Sequence, residues 1–226
     1  MRFAPIMTPL LGVPMNSVLQ QLQEIGLVPV VKINDAADAL PLAEALIAGG
    51  LPCAEITFRT DAAAESIAAI AREFPQMIVG AGTVLTRAQV DAAIDAGSTF
   101  IVSPGLNPDT LDYALGKGAL MMPGISNASG VEAALMRGID VVKFFPAEPA
   151  GGLPYIKALA GPYAAVKFMP TGGINLSNLA SYLACPSILA CGGTWMVAEG
   201  LIAEKRWDEI EGICKDAVKI IKSVRG

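Results

Sequence analysis

From residue 27 onward the chain alternates two patterns. Short apolar runs rich in Val, Ile and Phe are followed by Ala-rich stretches whose apolar positions recur every three to four residues, the period of a helix with one buried face. The first run, 27–33, leads into 35–48, where Leu40, Leu42, Ala43, Leu46 and Ile47 share a stripe and Gly49-Gly50 supplies the stop. The unit then repeats: strand 53–58 with helix 62–74, strand 77–84 with helix 87–96, and strand 100–103 with helix 107–115. In the last of these, Asn107 is placed to cap and Pro108 to open the first turn. Strands 120–123, 141–145 and 166–169 are followed by helices 128–137, 153–159 and 176–183, the third with Asn175 as its cap. An eighth strand at 187–190 precedes a long terminal helix over 207–224. Residues 1–24 form a short lead, helical from 17 to 24.

Eight such units leave roughly 28 residues each, the length of a right-handed βα crossover, and predict an α/β chain folded as one (β/α)8 TIM barrel over residues 1–226. An open doubly wound sheet would carry a GxGxxG turn after its first strand, and the stretch 30–35 has none. No change of composition marks a second domain.

Composition narrows the chemistry. The sequence is 53% apolar and only 16% charged, which suits a large buried core. Its net charge of -5 and scattered Lys and Arg offer no basic stripe, so nucleic acid is not an expected partner. Residues 1–17, interrupted by Pro5, Pro9 and Pro14, do not read as an export signal, and no apolar run is long enough to span a membrane. Four cysteines without a CxxC pair read as buried free thiols in a reducing, cytoplasmic compartment. The chain has no histidine, which excludes Ser-His-Asp and Cys-His nucleophiles and leaves the usual His-bearing catalytic zinc site without its ligands. No metal or cofactor is expected. Acid–base work falls to carboxylate, lysine, hydroxyl or water.

In a barrel, reactive side chains collect at the C-terminal ends of the strands. Lys143 lies in the run VVKFFPAE at 141–148, on a strand that Pro146 must end. An amine taken out of water there favours its neutral form, the form that attacks a carbonyl; the plainer alternative is a lysine snorkelling to solvent. By strand period Glu55, Thr57 and Arg59 share a face, so Glu55 reads either as a proton carrier or as the partner of Arg59 or Lys143 in an ion pair. Thr83 follows Gly80-Ala81-Gly82 with a hydroxyl at the third strand's end. Tight turns follow at Ser103-Pro104-Gly105 and at 123–126. Thr171-Gly172-Gly173 after the seventh strand and Gly192-Gly193-Thr194 after the eighth stand where many barrels hold phosphate on backbone amides.

Seven segments in order, EITFRT at 55–60, VGAGTVL at 79–85, IVSPGL at 101–106, MPGIS at 122–126, VVKFFPAE, FMPTGGIN at 168–175 and GGTW at 192–195, resemble the 2-keto-3-deoxy-6-phosphogluconate (KDPG) and 4-hydroxy-2-oxoglutarate (KHG) aldolases. The resemblance implies a class I aldolase of the Entner-Doudoroff route that works as a homotrimer. It splits the phosphorylated keto acid into pyruvate and glyceraldehyde 3-phosphate, and splits 4-hydroxy-2-oxoglutarate as well. It also implies roles: Lys143 as the Schiff-base lysine, Glu55 as the proton-transferring carboxylate, and Arg59 and Thr83 on the substrate carboxylate. Pro104 and Phe145 would line the pocket, and Thr171, Gly172, Gly173, Gly193 and Thr194 would face phosphate. A phosphosugar isomerase with Glu55 as base and Lys143 as a mere charge is the rival reading, and so is a keto-acid sensor without turnover.

Overall fold

Runs of Val, Ile and Cys that bury every residue become the strands of a computed structural model, which describes residues 17–226. Strands β1 (Leu27–Val31), β2 (Cys53–Thr57), β3 (Ile78–Gly82) and β4 (Phe100–Val102) are buried throughout. Strand β5 comes in two pieces, Met121–Met122 and Gly124–Ile125, followed by β6 (Val141–Phe144), β7 (Lys167–Pro170) and β8 (Cys191–Gly193). Every pairing is parallel, as burial on both faces by βα crossovers requires. One sheet runs from the first piece of β5 through β4, β3, β2 and β1 to β8, and the other joins the second piece of β5 to β6 and β7. The bridges Phe168↔Ile188 and Thr171↔Gly192 bring β7 against β8 and its approach, so the eight strands close into a (β/α)8 barrel.

Helices α1 (Ser17–Ile25), α2 (Ala39–Ala48), α3 (Ala63–Glu73), α4 (Arg87–Asp95), α5 (Pro108–Gly116), α6 (Ala128–Leu135), α7 (Gly152–Ala160) and α8 (Leu179–Leu183) are followed by α9 (Glu199–Ala203) and α10 (Trp207–Arg225). Their starts are chemically marked. The Thr86 hydroxyl accepts from the Gln89 amide at 3.2 Å while the Gln89 side chain accepts from the Leu85 amide at 2.8 Å, a reciprocal cap of the kind worth about 1 kcal/mol. Asn107 caps α5 as its sequence predicts, accepting from the Asp109 amide at 3.0 Å with Pro108 next in line.

Two apolar layers result. The larger lies between strands and helices, and the smaller fills the lower barrel with Val28, Cys53, Ile78, Phe100, Met122, Val141 and Met169. Helix α1 lays Leu19 and Leu22 against that inner cluster. The first sixteen residues of the expected lead lie outside the described residues.

Three expectations are corrected. Strand β5 is not continuous over 120–123, because Pro123 has no N–H to give a ladder and separates the two pieces. Strand β8 begins where the sequence predicts its end: Cys191, Gly192 and Gly193 pair with Leu27, Val28 and Pro29. Glycine is a poor strand former, yet here a Cβ at Gly192 would overlap the Thr171 hydroxyl and one at Gly193 the Trp195 ring. Helix α8 begins at Leu179, and Asn175 does not cap it. The Asn175 carboxamide instead accepts from the Ser177 amide at 2.9 Å in a turn before the helix.

Candidate active site

Parallel closure aims every strand's C-terminal end at one mouth, and a cavity of ≈ 260 Å³ opens there. All eleven residues that the sequence singled out line it. Glu55 and Arg59 come from β2 and the turn beyond, Thr83 and Pro104 follow β3 and β4, and Lys143 and Phe145 belong to β6 and its end. Thr171, Gly172, Gly173, Gly193 and Thr194 form the side bounded by β7 and β8.

Strand register explains the centre. Glu55 stands level with Val30 on β1 and Gly80 on β3, pointing inward, and Lys143 is level with Gly124 and Met169. The two long side chains meet across the barrel: Lys143 Nζ donates to Glu55 Oε1 at 3.0 Å and to Oε2 at 3.4 Å. With Glu55 fully buried and Lys143 5% exposed, this is a dry ion pair, stable only because each charge has the other. Lys143 therefore does not snorkel. Of the two partners expected for Glu55, Lys143 is the one it takes. Space for the carboxylate comes from β3, since a Cβ at Gly82 would overlap it. The Lys143 amine also lies 5.5 Å from the centroid of Phe145, whose ring stands at the exposed end of the strand.

Around this pair the polar groups face the opening. Arg59 lies beyond the end of β2, exposed, with its Nε donating to the Thr57 hydroxyl at 3.0 Å. Nearby, Lys32 pairs with Glu199 at 2.8 Å. That hydrogen bond holds the Glu199 carboxyl below the usual carboxylate range, and the Arg59 charge adds to the effect. Thr83 has φ 55°, a left-handed backbone that a β-branched residue adopts at a cost of about 1–3 kcal/mol. Strain of this kind concentrates at functional sites.

The β7–β8 side is built differently. Gly172 (φ 100°) and Gly173 (φ 86°) turn the chain so that the amides of Gly173 and Ile174 donate to no described residue. The turn is held from behind. The Glu148 amide donates to the Gly172 carbonyl at 3.0 Å, and the Tyr182 hydroxyl donates to the Glu148 carboxylate. Burial, followed by that hydrogen bond, pushes the Tyr182 phenol up. The Thr171 hydroxyl and the Trp195 indole N–H are buried without a partner.

Sequence reasoning left out Val30 and Ile174, which also line the cavity, as do Thr57 and Gly192, named there without a role of their own. For Thr57 the signal was present, since it shares the inward face of Glu55 by period two. Val30 and Ile174 are apolar lining that nothing in the sequence separates from core.

A buried lysine opposed to a carboxylate at the mouth of a (β/α)8 barrel, facing a glycine turn with free amides, defines a lysine-centred barrel enzyme. The chain matches the model of the family "Aldolase: KDPG and KHG aldolase" over residues 18–213 and belongs to that family. It is 48% identical over 207 residues to a 2-dehydro-3-deoxy-phosphogluconate aldolase of Treponema pallidum, an alignment covering 92% of this chain and 99% of the relative. Among solved structures, a KDPG aldolase of Legionella pneumophila with pyruvate captured as a covalent carbinolamine superposes with a TM-score of 0.85 and 38% identity, covering 88% of this chain and 97% of that one. A Zymomonas mobilis aldolase with 3-phosphoglycerate gives a TM-score of 0.81 and 44% identity, covering 88% of this chain and 94% of that one.

Proposed function

We propose that the chain is a class I aldolase that cleaves 2-keto-3-deoxy-6-phosphogluconate to pyruvate and glyceraldehyde 3-phosphate, and 4-hydroxy-2-oxoglutarate to pyruvate and glyoxylate. The observation that carries this reading is the buried 3.0 Å contact between Lys143 and Glu55 at the cavity centre. Proton transfer along that contact turns an ion pair into a neutral amine and a neutral acid, so the nucleophile is released with no net charge left in the dry cavity.

The neutral Lys143 attacks the C2 ketone to give a carbinolamine. Loss of its hydroxyl as water, with a proton from Glu55, leaves the iminium. The C4 hydroxyl then gives its proton to the Glu55 carboxylate, directly or through one water, as the C3–C4 bond breaks. That electron pair passes into the iminium as an enamine and the aldehyde departs. Protonation of C3 and hydrolysis of the imine free pyruvate and restore the amine. Arg59, with the Thr83 hydroxyl, holds the substrate carboxylate, and Pro104 and Phe145 bound the carbon chain. The amides of Gly172, Gly173 and Gly193 and the hydroxyls of Thr171 and Thr194 receive the phosphate. This assignment is supported by the free amides of the Gly172-Gly173 turn, which lines the same cavity as Lys143.

Borohydride added with pyruvate tests the chemistry. One adduct on Lys143 is expected by mass spectrometry, and Lys143→Arg removes it, because a guanidinium stays protonated and does not condense. An isomerase with no covalent step gives no adduct, and labelling of Lys167 instead would overturn the assignment.

We infer further that the working form is a homotrimer. The exposed apolar side chains Leu85, Leu135 and Met136 support burial of surface between copies. Light scattering at a trimer's mass is the expected result. The four buried free cysteines support a cytoplasmic location. Among the described residues no helix is long and apolar enough to cross a membrane.

A further inference from the structure

We propose that Thr57 is a positioning residue for Arg59, presenting the guanidinium to the carboxylate of the 2-keto acid. The proposal rests on the reading of Arg59 as the carboxylate holder and adds to it the group that makes Arg59 competent.

Hydrogen-bond polarity at this hydroxyl is forced. Thr57 Oγ1 lies 2.7 Å from the Val31 carbonyl oxygen, an atom that only accepts, so the one hydroxyl proton goes to β1. Its lone pairs remain, and Arg59 Nε donates to one of them at 3.0 Å. Thr57 is 1% exposed and sits in the last rung of β2, opposite Gly82. The backbone makes the contact possible. The Arg59 amide donates to the Thr57 carbonyl and the Phe58 amide to Gly82, both at 2.7 Å, so the chain folds tightly beyond the strand and brings Arg59 back over Thr57.

The consequence is specific to arginine. Its Nε is engaged, while the two terminal nitrogens carry no hydrogen bond or ion pair to any described residue, and Arg59 lines the cavity. A planar guanidinium fixed at Nε keeps its outer edge, the edge that grips a carboxylate by two parallel bonds. Arg59 is otherwise exposed, and an exposed arginine is spread over many rotamers. Fixing it beforehand removes an ordering cost that substrate binding would otherwise meet.

The test uses borohydride trapping on the full-length enzyme with two ketones, pyruvate and the carboxylate-free acetone. The readout is the ratio of their half-saturating concentrations. Thr57→Val is expected to lower the preference for pyruvate by roughly tenfold, the scale of one hydrogen bond to a charged group, and Thr57→Ser to restore it. Arg59→Ala is expected to lower it at least as far, and the double variant no further, because Thr57 acts through Arg59. If Thr57→Val does not fold, Thr57→Ala removes the same hydroxyl while leaving space for water at the Val31 carbonyl. A preference kept by the Thr57 variants but lost in Arg59→Ala overturns the proposal and leaves the role of Arg59 standing. A preference kept in Arg59→Ala overturns both. Losses that multiply in the double variant, or that fall equally on pyruvate and acetone, make Thr57 structural and also overturn it.

Discussion

The two sides of the cavity are made of different material. Between β2 and β6, which face each other across the barrel, long side chains rooted in buried strands meet in a closed ion pair, with Lys143 and Glu55 each the other's partner. Next to β6, the β7–β8 ends present the Gly173 and Ile174 amides, which no described residue uses, and a buried threonine hydroxyl without an acceptor. Satisfied groups locked by the sheet suit bond-making, which needs charge and geometry held within tight limits. Unsatisfied donors in a turn suit an anion that arrives with the substrate and completes them. Substitutions on the first side should therefore change the rate of chemistry, and those on the second the affinity for one end of the substrate.

Glu55→Gln strains this division most. It keeps the shape while removing the counter-charge of Lys143 and the proposed proton carrier. Trapping of pyruvate on Lys143 should survive, if more slowly. Exchange of the pyruvate methyl protons with deuterated water should fall by roughly a hundred- to ten-thousandfold, as for loss of a positioned general base, and cleavage with it. Exchange near the wild-type rate at saturating pyruvate would make Glu55 only the electrostatic partner of Lys143.

Thr194→Val is aimed at the other side. Losing one hydrogen bond to a charged group should raise KM for the phosphorylated keto acid by about ten- to a hundredfold, with 4-hydroxy-2-oxoglutarate little affected. The comparison of substrates is the measurement. Equal losses on both would move the phosphate away from the β8 end and erase the contrast between the two sides.

How much of this was legible follows the same contrast. Glu55, Lys143 and Arg59 could be placed because apolar strands have period two and a barrel gathers their C-terminal ends, so face and height follow from sequence alone. The choice of Lys143 over Arg59 as the partner of Glu55 could not be read. It depends on register across β2, β3 and β6 and on the missing side chain at Gly82. On the glycine-rich side the signal misled. Gly192-Gly193 reads as a loop because glycine disfavours strands, whereas both lie in β8 so that Thr171 and Trp195 can pack close. Helix α8 is a turn shorter than its apolar period suggests because the Asn175 side chain bonds the backbone of a preceding turn. The free amides of the Gly172-Gly173 turn leave no trace in residue type beyond the glycines themselves.

The smallest expected effect sits where the two sides meet. Thr171 lies just beyond β7, with its amide donating to the Phe144 carbonyl at 3.0 Å, and its hydroxyl occupies the space that a side chain at Gly192 would take. Buried at 4% exposure with no acceptor or donor of its own, that hydroxyl costs stability, of order 1–3 kcal/mol for an unmade hydrogen bond. A site shaped only for folding would carry valine, which has the same outline and no polar atom. Thr171→Val should therefore leave the melting temperature unchanged or raise it by a few degrees, while KM for the phosphorylated substrate rises by up to about tenfold. Equal rises for the phosphorylated and unphosphorylated acids would draw Thr171 toward the Lys143 side of the cavity and shift the boundary between the two regions. A melting temperature several degrees lower with KM unchanged would mean that the hydroxyl serves the fold, and the free-donor character of the β7–β8 side would then rest on its glycine amides alone.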